Sequence, residues 1–287
     1  MNKDGKKFIS PYGWFSLVYP QNWYEFEDME GTFLFYNPNK WSGNFRISAY
    51  KAAPKLPHAM NYGKETVKEE LQKNKNASLV KVGKWECAYS QENFQENGAF
   101  YTTHLWITGV GNLVFECTFT LPEGGDKTPA EQIIAGLEAR REGEKYPREV
   151  IPIRVLEIGM VNEAFEWVSS TVKKKLKKDF TGSKEDIPKL TQLIESGDYN
   201  PAQKDSWYSF GITFGVILVN EIDGLEWVTV VENNREFPAL QFKQTDLLVY
   251  PQSLIRDTIK SGKKVDLQQE FEAIAEKIIL LEETRAG

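Results

Sequence analysis

Apolar and polar residues alternate with a period of two through most of the chain between residues 8 and 122. The clearest segment runs from Leu113 to Leu121, where every second residue is apolar and shares one face. This alternation is typical of strands that bury one face, so the first half is predicted to form an antiparallel sheet. Strands are predicted at Trp14 to Tyr19, Thr32 to Tyr36, Asn44 to Tyr50, Val80 to Tyr89, Phe100 to Thr108 and Leu113 to Leu121.

Two helices are predicted within this strand-rich half. The first covers the charged stretch 61–76, where the prediction depends on helix propensity more than on an apolar stripe. The second begins at Thr128-Pro129-Ala130-Glu131. Thr at the cap, Pro in the first turn and Glu three residues after the cap together predict a capping box.

Past residue 152 the apolar spacing changes to three and four, which is the spacing of amphipathic helices. Helices are predicted from Ile158 to Leu176, from Ile187 to Ser196, and from a capped start at Asn200-Pro201 through Leu218. Three short strands and two more helices are predicted to follow, at Leu225 to Val231, Ala239 to Phe242, Leu247 to Tyr250, Ser253 to Lys260 and Leu267 to Leu281.

The segment from Gly143 to Pro152 contains two prolines and several charges, and we interpret it as a linker. Two α+β domains are therefore predicted, at residues 1–145 and 153–287. The first is an antiparallel sheet with flanking helices, and the second consists of helices around a small antiparallel sheet.

The first domain resembles a known fold family. The order of strands, helix, antiparallel strands and helix, together with Phe15-Ser16-Leu17-Val18-Tyr19-Pro20-Gln21-Asn22-Trp23, resembles the PsbP-like α/β sandwich over residues 8–142. The resemblance implies this fold. It implies no activity, because families with this fold have unrelated functions.

The second half resembles an uncharacterised bacterial domain family over residues 155–262. The residues that carry this resemblance are Phe210-Gly211-Ile-Thr-Phe214-Gly215, Leu225-Glu226-Trp227-Val228 and Tyr250-Pro251-Gln-Ser253-Leu-Ile255. Related families lie near toxin and immunity genes, so the resemblance implies a binding role, which an immunity protein would have.

Composition excludes several classes of protein. The net charge is −6, and basic residues outnumber acidic ones in neither half, so we expect no nucleic-acid partner. No run of about 18 apolar residues is present, so no membrane span is expected. We see no signal peptide after the initiating Met and expect a cytoplasmic protein in which Cys87 and Cys117 are buried, reduced thiols.

No catalytic motif emerges from the titratable residues. The two histidines, His58 and His104, are not predicted to meet a nucleophile and an orienting group, so we interpret each as a packed or a surface histidine. No metal-ligand spacing is present, and we predict no metal and no cofactor. The pair Gly211 and Gly215 is predicted to permit close packing of another backbone against a helix.

These observations lead to a non-enzymatic, protein-binding hypothesis. Trp23, Tyr24 and Trp41 are predicted to lie in loops, and aromatic residues are enriched in interface cores. The alternative is a carboxylate-based hydrolase or ligand-binding enzyme that uses Glu221, Asp223 and Glu226 in a cleft between the domains. The sequence leaves the partner, the ligand and the oligomeric state open.

Overall fold

The computed structural model describes residues 5–27, 31–53, 55, 59–141, 143–232 and 235–286. The chain separates into two compact units, Met1–Pro147 and Arg148–Gly287. Both units contain helices and antiparallel sheets, so the predicted α+β class is confirmed. His58 lies outside the described residues.

The described residues of the first unit form two antiparallel sheets. The small sheet has the order β1-β2-β10, and the large sheet has the order β3-β4-β5-β9-β8-β7-β6. The strands are β1 Gly5–Ile9, β2 Phe15–Pro20, β3 Tyr24–Glu27, β4 Thr32–Tyr36, β5 Asn44–Lys51, β6 Ser78–Val82, β7 Trp85–Glu96, β8 Ala99–Val110, β9 Leu113–Pro122 and β10 Glu138–Ala139; helix α1 is Tyr62–Lys73 and helix α2 is Thr128–Ala135.

The large sheet has one buried face and one partly open face. Because side chains alternate along a strand, Phe115, Cys117 and Phe119 of β9 all point to the buried face. Phe8 of β1 and Phe15 of β2 pack against that face, and the apolar side of α2 packs there too. This arrangement is a sandwich with an aromatic core.

Helix α1 covers part of the opposite, outer face. It packs against β7, β8 and β9, where Val67 belongs to a buried apolar cluster with Ala88, Ile107 and Val114. The helix approaches closely because a Cβ on Gly63 would lie 2.4 Å from the backbone nitrogen of Val110.

Several local predictions for this unit were wrong. Strands β1 and β3 were not predicted, and β7 continues seven residues beyond Tyr89, to Glu96. The capping box at Thr128 does not form, because the cap position is Lys127 and the amide of Thr128 donates to Asp126 Oδ1 at 2.9 Å.

The second unit packs five helices around one sheet within the described residues. The sheet has the order β11-β12-β13-β14 and is antiparallel. Its elements are β11 Glu149–Pro152, α3 Val155–Leu176, α4 Ile187–Ile194, α5 Lys204–Glu221, β12 Leu225–Glu232, β13 Arg235–Phe242, β14 Leu248–Val249, α6 Pro251–Lys260 and α7 Leu267–Ala286.

Helix α5 is buried on nearly all sides, as expected for a helix at the centre of a domain. The start of α6 lies directly against it at the two predicted glycines. A Cβ on Gly211 would lie 2.5 Å from Gln252 Cα, and a Cβ on Gly215 would lie 2.6 Å from Trp227 Cη2. The predicted close approach of another backbone is confirmed at Gly211, whereas at Gly215 the close atoms belong to the side chains of Trp227 and Pro251.

Two boundary predictions for this unit were wrong. The last four residues of the predicted linker form β11, which pairs with β12, so only residues before Glu149 are outside the sheet. The Asn200-Pro201 segment is a turn in which Asn200 Oδ1 accepts from the amide of Ala202 at 2.9 Å, and α5 begins after it at Lys204.

A buried aspartate orders the loop before α4. Asp186 Oδ2 accepts from the amides of Thr181 and Gly182 at 2.6 and 2.8 Å. Burial by itself would raise the pKa of Asp186, but the hydrogen bonds from Lys189 and from these two amides outweigh it and lower that pKa. The charged form of Asp186 therefore stabilises the folded loop.

No helix in the described ranges combines the length and apolar character needed to cross a membrane.

Candidate binding surface

Trp23 does not belong to a binding surface, so this part of the site prediction was wrong. Its side chain is 4% exposed and stacks on Phe119 with ring centroids 6.1 Å apart. The turn after β2, in which the amide of Trp23 donates to the carbonyl of Pro20 at 3.0 Å, directs the indole back into the core. Trp23 therefore supports the fold.

Tyr24 is exposed, but on a strand and not in a loop. It lies on β3 opposite Tyr36 of β4, and 49% of its surface is exposed. Lys6 Nζ lies 3.8 Å from the centre of its ring, within the range of a cation–π contact. The neighbouring Phe26 stacks on Tyr36 at 4.1 Å, so aromatic rings line this end of the outer face.

Trp41 is exposed and begins a row of aromatic rings. It lies before β5, is 40% exposed, and its Nε1 donates to Asn44 Oδ1 at 2.6 Å. Its ring meets Tyr101 edge-on at 6.1 Å, and Tyr101 stacks on Phe94 at 5.5 Å. We call Trp41, Tyr101 and Phe94 the aromatic row.

The β7–β8 hairpin explains why the aromatic row forms. Phe94 and Tyr101 are direct cross-strand partners, so their side chains point to the same face. The turn is Asn97-Gly98, where both residues have positive φ, of 49° and 82°. This is the preferred pair for a two-residue hairpin turn, and it was the sequence signal that could have predicted the extended hairpin.

Hydroxyl side chains cover the outer face between the aromatic groups. Thr103 and Thr120 are hydrogen-bonded at 2.9 Å, and Thr32 and Ser48 at 2.8 Å. In each pair, the two hydroxyl groups form a hydrogen bond with each other across neighbouring strands. The result is a polar stretch of sheet surface with aromatic rings on both sides of it.

The predicted acidic residues do not form a comparable cluster. Glu221 is exposed at the end of α5, and its Oε1 accepts from the amide of Lys184 at 3.0 Å. Asp223 lies in the following turn and Glu226 on β12, and both are exposed. No group of histidine, cysteine and acidic side chains in the described residues could hold a metal ion.

A buried ionic cluster in the second unit was not predicted. Arg154, only 1% exposed, donates from Nε to Glu157 Oε2 at 2.9 Å and from a terminal nitrogen to Glu236 Oε2 at 2.8 Å. Thr229 Oγ1 also donates to Glu157, at 3.1 Å. Burial opposes the charge on Arg154, but the hydrogen bonds and charges of Glu157 and Glu236 outweigh it and raise the pKa of Arg154.

Tyr208 lies close to this cluster. Its hydroxyl is buried and, within the described residues, has no hydrogen-bond partner. Burial, with a smaller contribution from the charge of Glu157, raises the pKa of Tyr208 to about 12. The phenol therefore stays neutral at physiological pH, and we interpret the whole cluster as a structural anchor for β11 and α3.

His104 is packed, which is one of the two interpretations that the sequence left open. Its Nδ1 lies 2.8 Å from the Tyr89 hydroxyl, and its ring lies 5.7 Å from Trp106. Burial, followed by the positive charge of Lys127, lowers the pKa of His104. The side-chain hydrogen bond found for His104 in the described residues joins it to the Tyr89 hydroxyl, which is not the pairing of a Ser-His-Asp triad.

The two cysteines are buried, as predicted. Burial raises the pKa of both thiols, to about 11 for Cys87. They lie on β7 and β9 with β8 between them, so their backbones are separated by two strand spacings, roughly 9–10 Å. This exceeds the reach of a disulfide, which is about 7 Å between Cα atoms.

Two protein-family models match parts of the chain. A model described as a domain of unknown function, DUF3805, matches residues 3–162. The chain belongs to the DUF3805 family. A second model, also described as a domain of unknown function, DUF3806, matches residues 186–271. A comparison with curated proteins finds no match.

Solved structures extend the comparison. A crystal structure from Bacteroides thetaiotaomicron VPI-5482 is 51% identical, covers 94% of this chain and 98% of that chain, and has a TM-score of 0.89. Cyanobacterial PsbP from Synechocystis sp. PCC 6803 is 12% identical over 48% of this chain and 93% of that chain, with a TM-score of 0.27. LpqN of Mycobacterium tuberculosis, described as involved in cell envelope biogenesis, is 12% identical over 49% and 87%, with a TM-score of 0.30.

One of these neighbours, cyanobacterial PsbP, bears the name of the family that the first domain resembles. We infer no function from these two distant likenesses. The DUF3805 match ends inside α3, after Arg154 and Glu157, whereas Glu236 lies within the DUF3806 match. The buried ionic cluster therefore joins residues from the two family matches within the second unit.

Proposed function

We propose that this DUF3805 protein is a non-enzymatic, cytoplasmic binding protein whose partner is another protein. The observation that carries the proposal is the aromatic row on the outer face of the large sheet. Trp41 and Phe94 expose 40% and 37% of their surfaces, although apolar rings of this size gain free energy when they leave water. An exposed group of adjacent large apolar side chains is informative about binding, whereas a single one is not.

The geometry of the row fits an interface. The three rings are positioned by edge and stacked contacts with one another, and the Trp41 indole also donates a hydrogen bond to Asn44. Rings that are ordered before binding lose little conformational entropy when a partner covers them. Tryptophan and tyrosine are also the residues that most often dominate interface energetics.

The polar sheet surface beside the row supports the same proposal. In the described residues helix α1 packs on the β7, β8 and β9 part of the outer face, and the Thr32–Ser48 hydroxyl pair on β4 and β5 lies outside that part. A polar surround next to an aromatic centre is the usual composition of a non-obligate protein interface. An immunity-like or accessory role is one form that such binding could take.

The carboxylate alternative has less support. Its residues Glu221, Asp223 and Glu226 are exposed, and in the described residues no group of three or more histidine, cysteine or acidic side chains could hold a metal ion. Efficient acid–base catalysis requires a group whose pKa is near the working pH and whose position is held by a partner.

The proposal is tested by capture from native lysate with the wild type and with matched variants. Trp41→Ala and Phe94→Ala remove rings of the row. Tyr50→Ala is the control, because it removes a tyrosine of the same sheet that is 48% exposed and lies outside the row. We expect Trp41→Ala to weaken binding of a captured partner by roughly 30-fold, the equivalent of ~2 kcal/mol, and Tyr50→Ala to change it little.

Two results would contradict the proposal. One is partner binding that both row variants leave unchanged while their circular dichroism spectra match the wild type. The other is turnover of a generic ester, phosphate or glycoside substrate that disappears in Glu226→Gln, because it would promote the carboxylate enzyme.

A further inference from the structure

A cleft in the second unit lies between the short strand β14 and the helices α6 and α7. Its volume is about 420 Å³, within the range of ordinary binding sites. The consecutive residues Leu247–Tyr250 form one wall, and side chains of α6 and α7 form the others. The cleft is therefore bounded on one side by a strand that ends its sheet.

The backbone of β14 has an unpaired edge toward this side. Within the described residues, β14 is the last strand of the sheet and pairs with β13 alone, with Val249 opposite Leu240. The amide of Phe242 donates to the carbonyl of Leu247 at 3.3 Å, so the hydrogen-bonded positions are Leu247 and Val249. In an antiparallel pair these positions alternate; Leu248 therefore turns its N–H and C=O away from β13.

Such an edge is a template for another strand. The carbonyl of Tyr250 already accepts from the amides of Ser253 and Leu254, at 2.9 and 3.2 Å, which fixes the start of α6 beside the edge. A free strand edge next to a helix is an arrangement in which extended peptides bind by adding a strand.

The floor and rim of the cleft indicate the chemistry of the occupant. Leu254 and Ile274 provide apolar surface, and Ile274 is buried. The charged groups of the lining are Asp257, Lys263, Glu270 and Lys277. Asp257 is held by Arg256 Nε at 3.1 Å.

The remaining charges favour an anionic group. In the described part of the chain, Lys263, Lys277 and Glu270 are not within ion-pair distance of an opposite charge. With the Asp257–Arg256 ion pair taken as neutral, two cations and one anion remain at the rim, which gives these three groups a net positive charge. A carboxylate on the ligand would be attracted to the two lysines and would gain charge-assisted hydrogen bonds there.

We propose that this cleft binds an extended peptide, which adds to β14 as a further strand. The peptide backbone exchanges hydrogen bonds with Leu248, an apolar side chain packs on Leu254 and Ile274, and a carboxylate is directed toward Lys263 and Lys277. The site is separate from the aromatic row and lies in the other unit, so the proposal does not depend on the proposed function of that row.

The test uses random heptapeptides displayed in two formats, with a free carboxyl terminus and with that terminus fused to a carrier, selected on the full chain. Ala273→Trp on α7 fills the cleft, and Glu276→Trp adds the same bulk at an exposed α7 position outside it. We expect an enriched apolar motif that binds the wild type and Glu276→Trp but loses at least tenfold affinity for Ala273→Trp. If peptides are enriched only when their carboxyl terminus is free, the carboxylate that binds near the two lysines is the peptide terminus. If peptides with acidic side chains are enriched in both formats, that carboxylate belongs to a side chain.

A second pair of variants and a backbone measurement keep the test independent of folding defects. Lys277→Glu should weaken the selected peptide, whereas Lys260→Glu, outside the cleft, should not. Hydrogen exchange at the amide of Leu248 should slow when the peptide binds. The proposal is overturned if no motif is enriched above an unrelated protein or if binding survives Ala273→Trp. A concentration-dependent dimer that Ala273→Trp abolishes would also overturn it, by placing a second copy of the chain in the cleft.

Discussion

Replacement of a helical glycine by alanine is expected to have opposite effects at different positions of the second unit. At Gly159 on α3 an added Cβ would meet nothing within 4 Å. At Gly211 on α5 it would lie 2.5 Å from Gln252 Cα and 2.7 Å from the Pro251 carbonyl oxygen, which are backbone atoms of α6. At Gly215 it would lie 2.6 Å from the Trp227 ring.

The expected magnitudes follow from two opposing effects. Alanine stabilises a helix by about 1 kcal/mol relative to glycine, and insertion of a methyl group into a packed contact costs about 1–3 kcal/mol. Gly159→Ala should therefore stabilise the unit by about 1 kcal/mol. Gly211→Ala should destabilise it by ~2 kcal/mol, because the α6 backbone itself must move. Gly215→Ala should have a smaller effect, because a side-chain ring can shift.

Urea unfolding followed by far-ultraviolet circular dichroism measures these differences, since α3 to α7 all lie in the second unit. Gly215→Leu extends the series, with an expected loss of about 1–3 kcal/mol or more. A Gly211→Ala variant as stable as the wild type would refute the close packing of α5 on α6. If Gly159→Ala were less stable than the wild type, the changes in the free energy of unfolding across these glycine variants would not be explained by contact distance.

Three further predictions concern the second unit. Arg154→Met leaves the buried carboxylate of Glu157 without its cation and should cost about 3–5 kcal/mol in urea unfolding, and the double variant with Glu157→Gln should recover part of that loss. Because the pKa of Asp186 is lowered in the folded state, its contribution to the free energy of unfolding is complete above the ordinary pKa of an aspartate and is lost as the pH falls through the folded value. If the free energy of unfolding of Asp186→Asn falls with acid as steeply as that of the wild type, this expectation is wrong. A fragment of residues 148–287 should give a dispersed amide NMR spectrum, whereas residues 163–287, which lack β11 and the guanidinium of the ionic cluster, should not; equal dispersion would show that the cluster is dispensable.

The regular elements could be predicted because their signal is local. The period-two face of β9 and the three–four spacing of α3 both appear in the sequence, and both elements formed. Elements with a weak local signal could not be predicted in this way. β1 and β3 are short edge strands, and β11 contains a proline; each becomes a strand because a longer neighbour offers it hydrogen-bonding groups.

The residues of the candidate sites were harder to predict from local sequence than the helices and strands. Tyr24 and Trp41 were named from the sequence and are exposed, but Trp23, one residue from Tyr24, is in the core. The direction of each side chain depends on the turn after β2 and on sheet register, which residue type does not encode. The aromatic row needed the register that places Phe94 opposite Tyr101.

The sequence by itself determined the fold class, the buried faces of the long elements, the burial of the thiols and the need for close packing at Gly211 and Gly215. These properties depend on side-chain chemistry and spacing within one element. Only the tertiary structure brought Glu236 to Arg154 across 82 positions, exposed the free edge of β14 beside α6 and α7, and assembled the aromatic row. Such features join residues that are distant in the chain, so they exist only after the sheets and helices have packed.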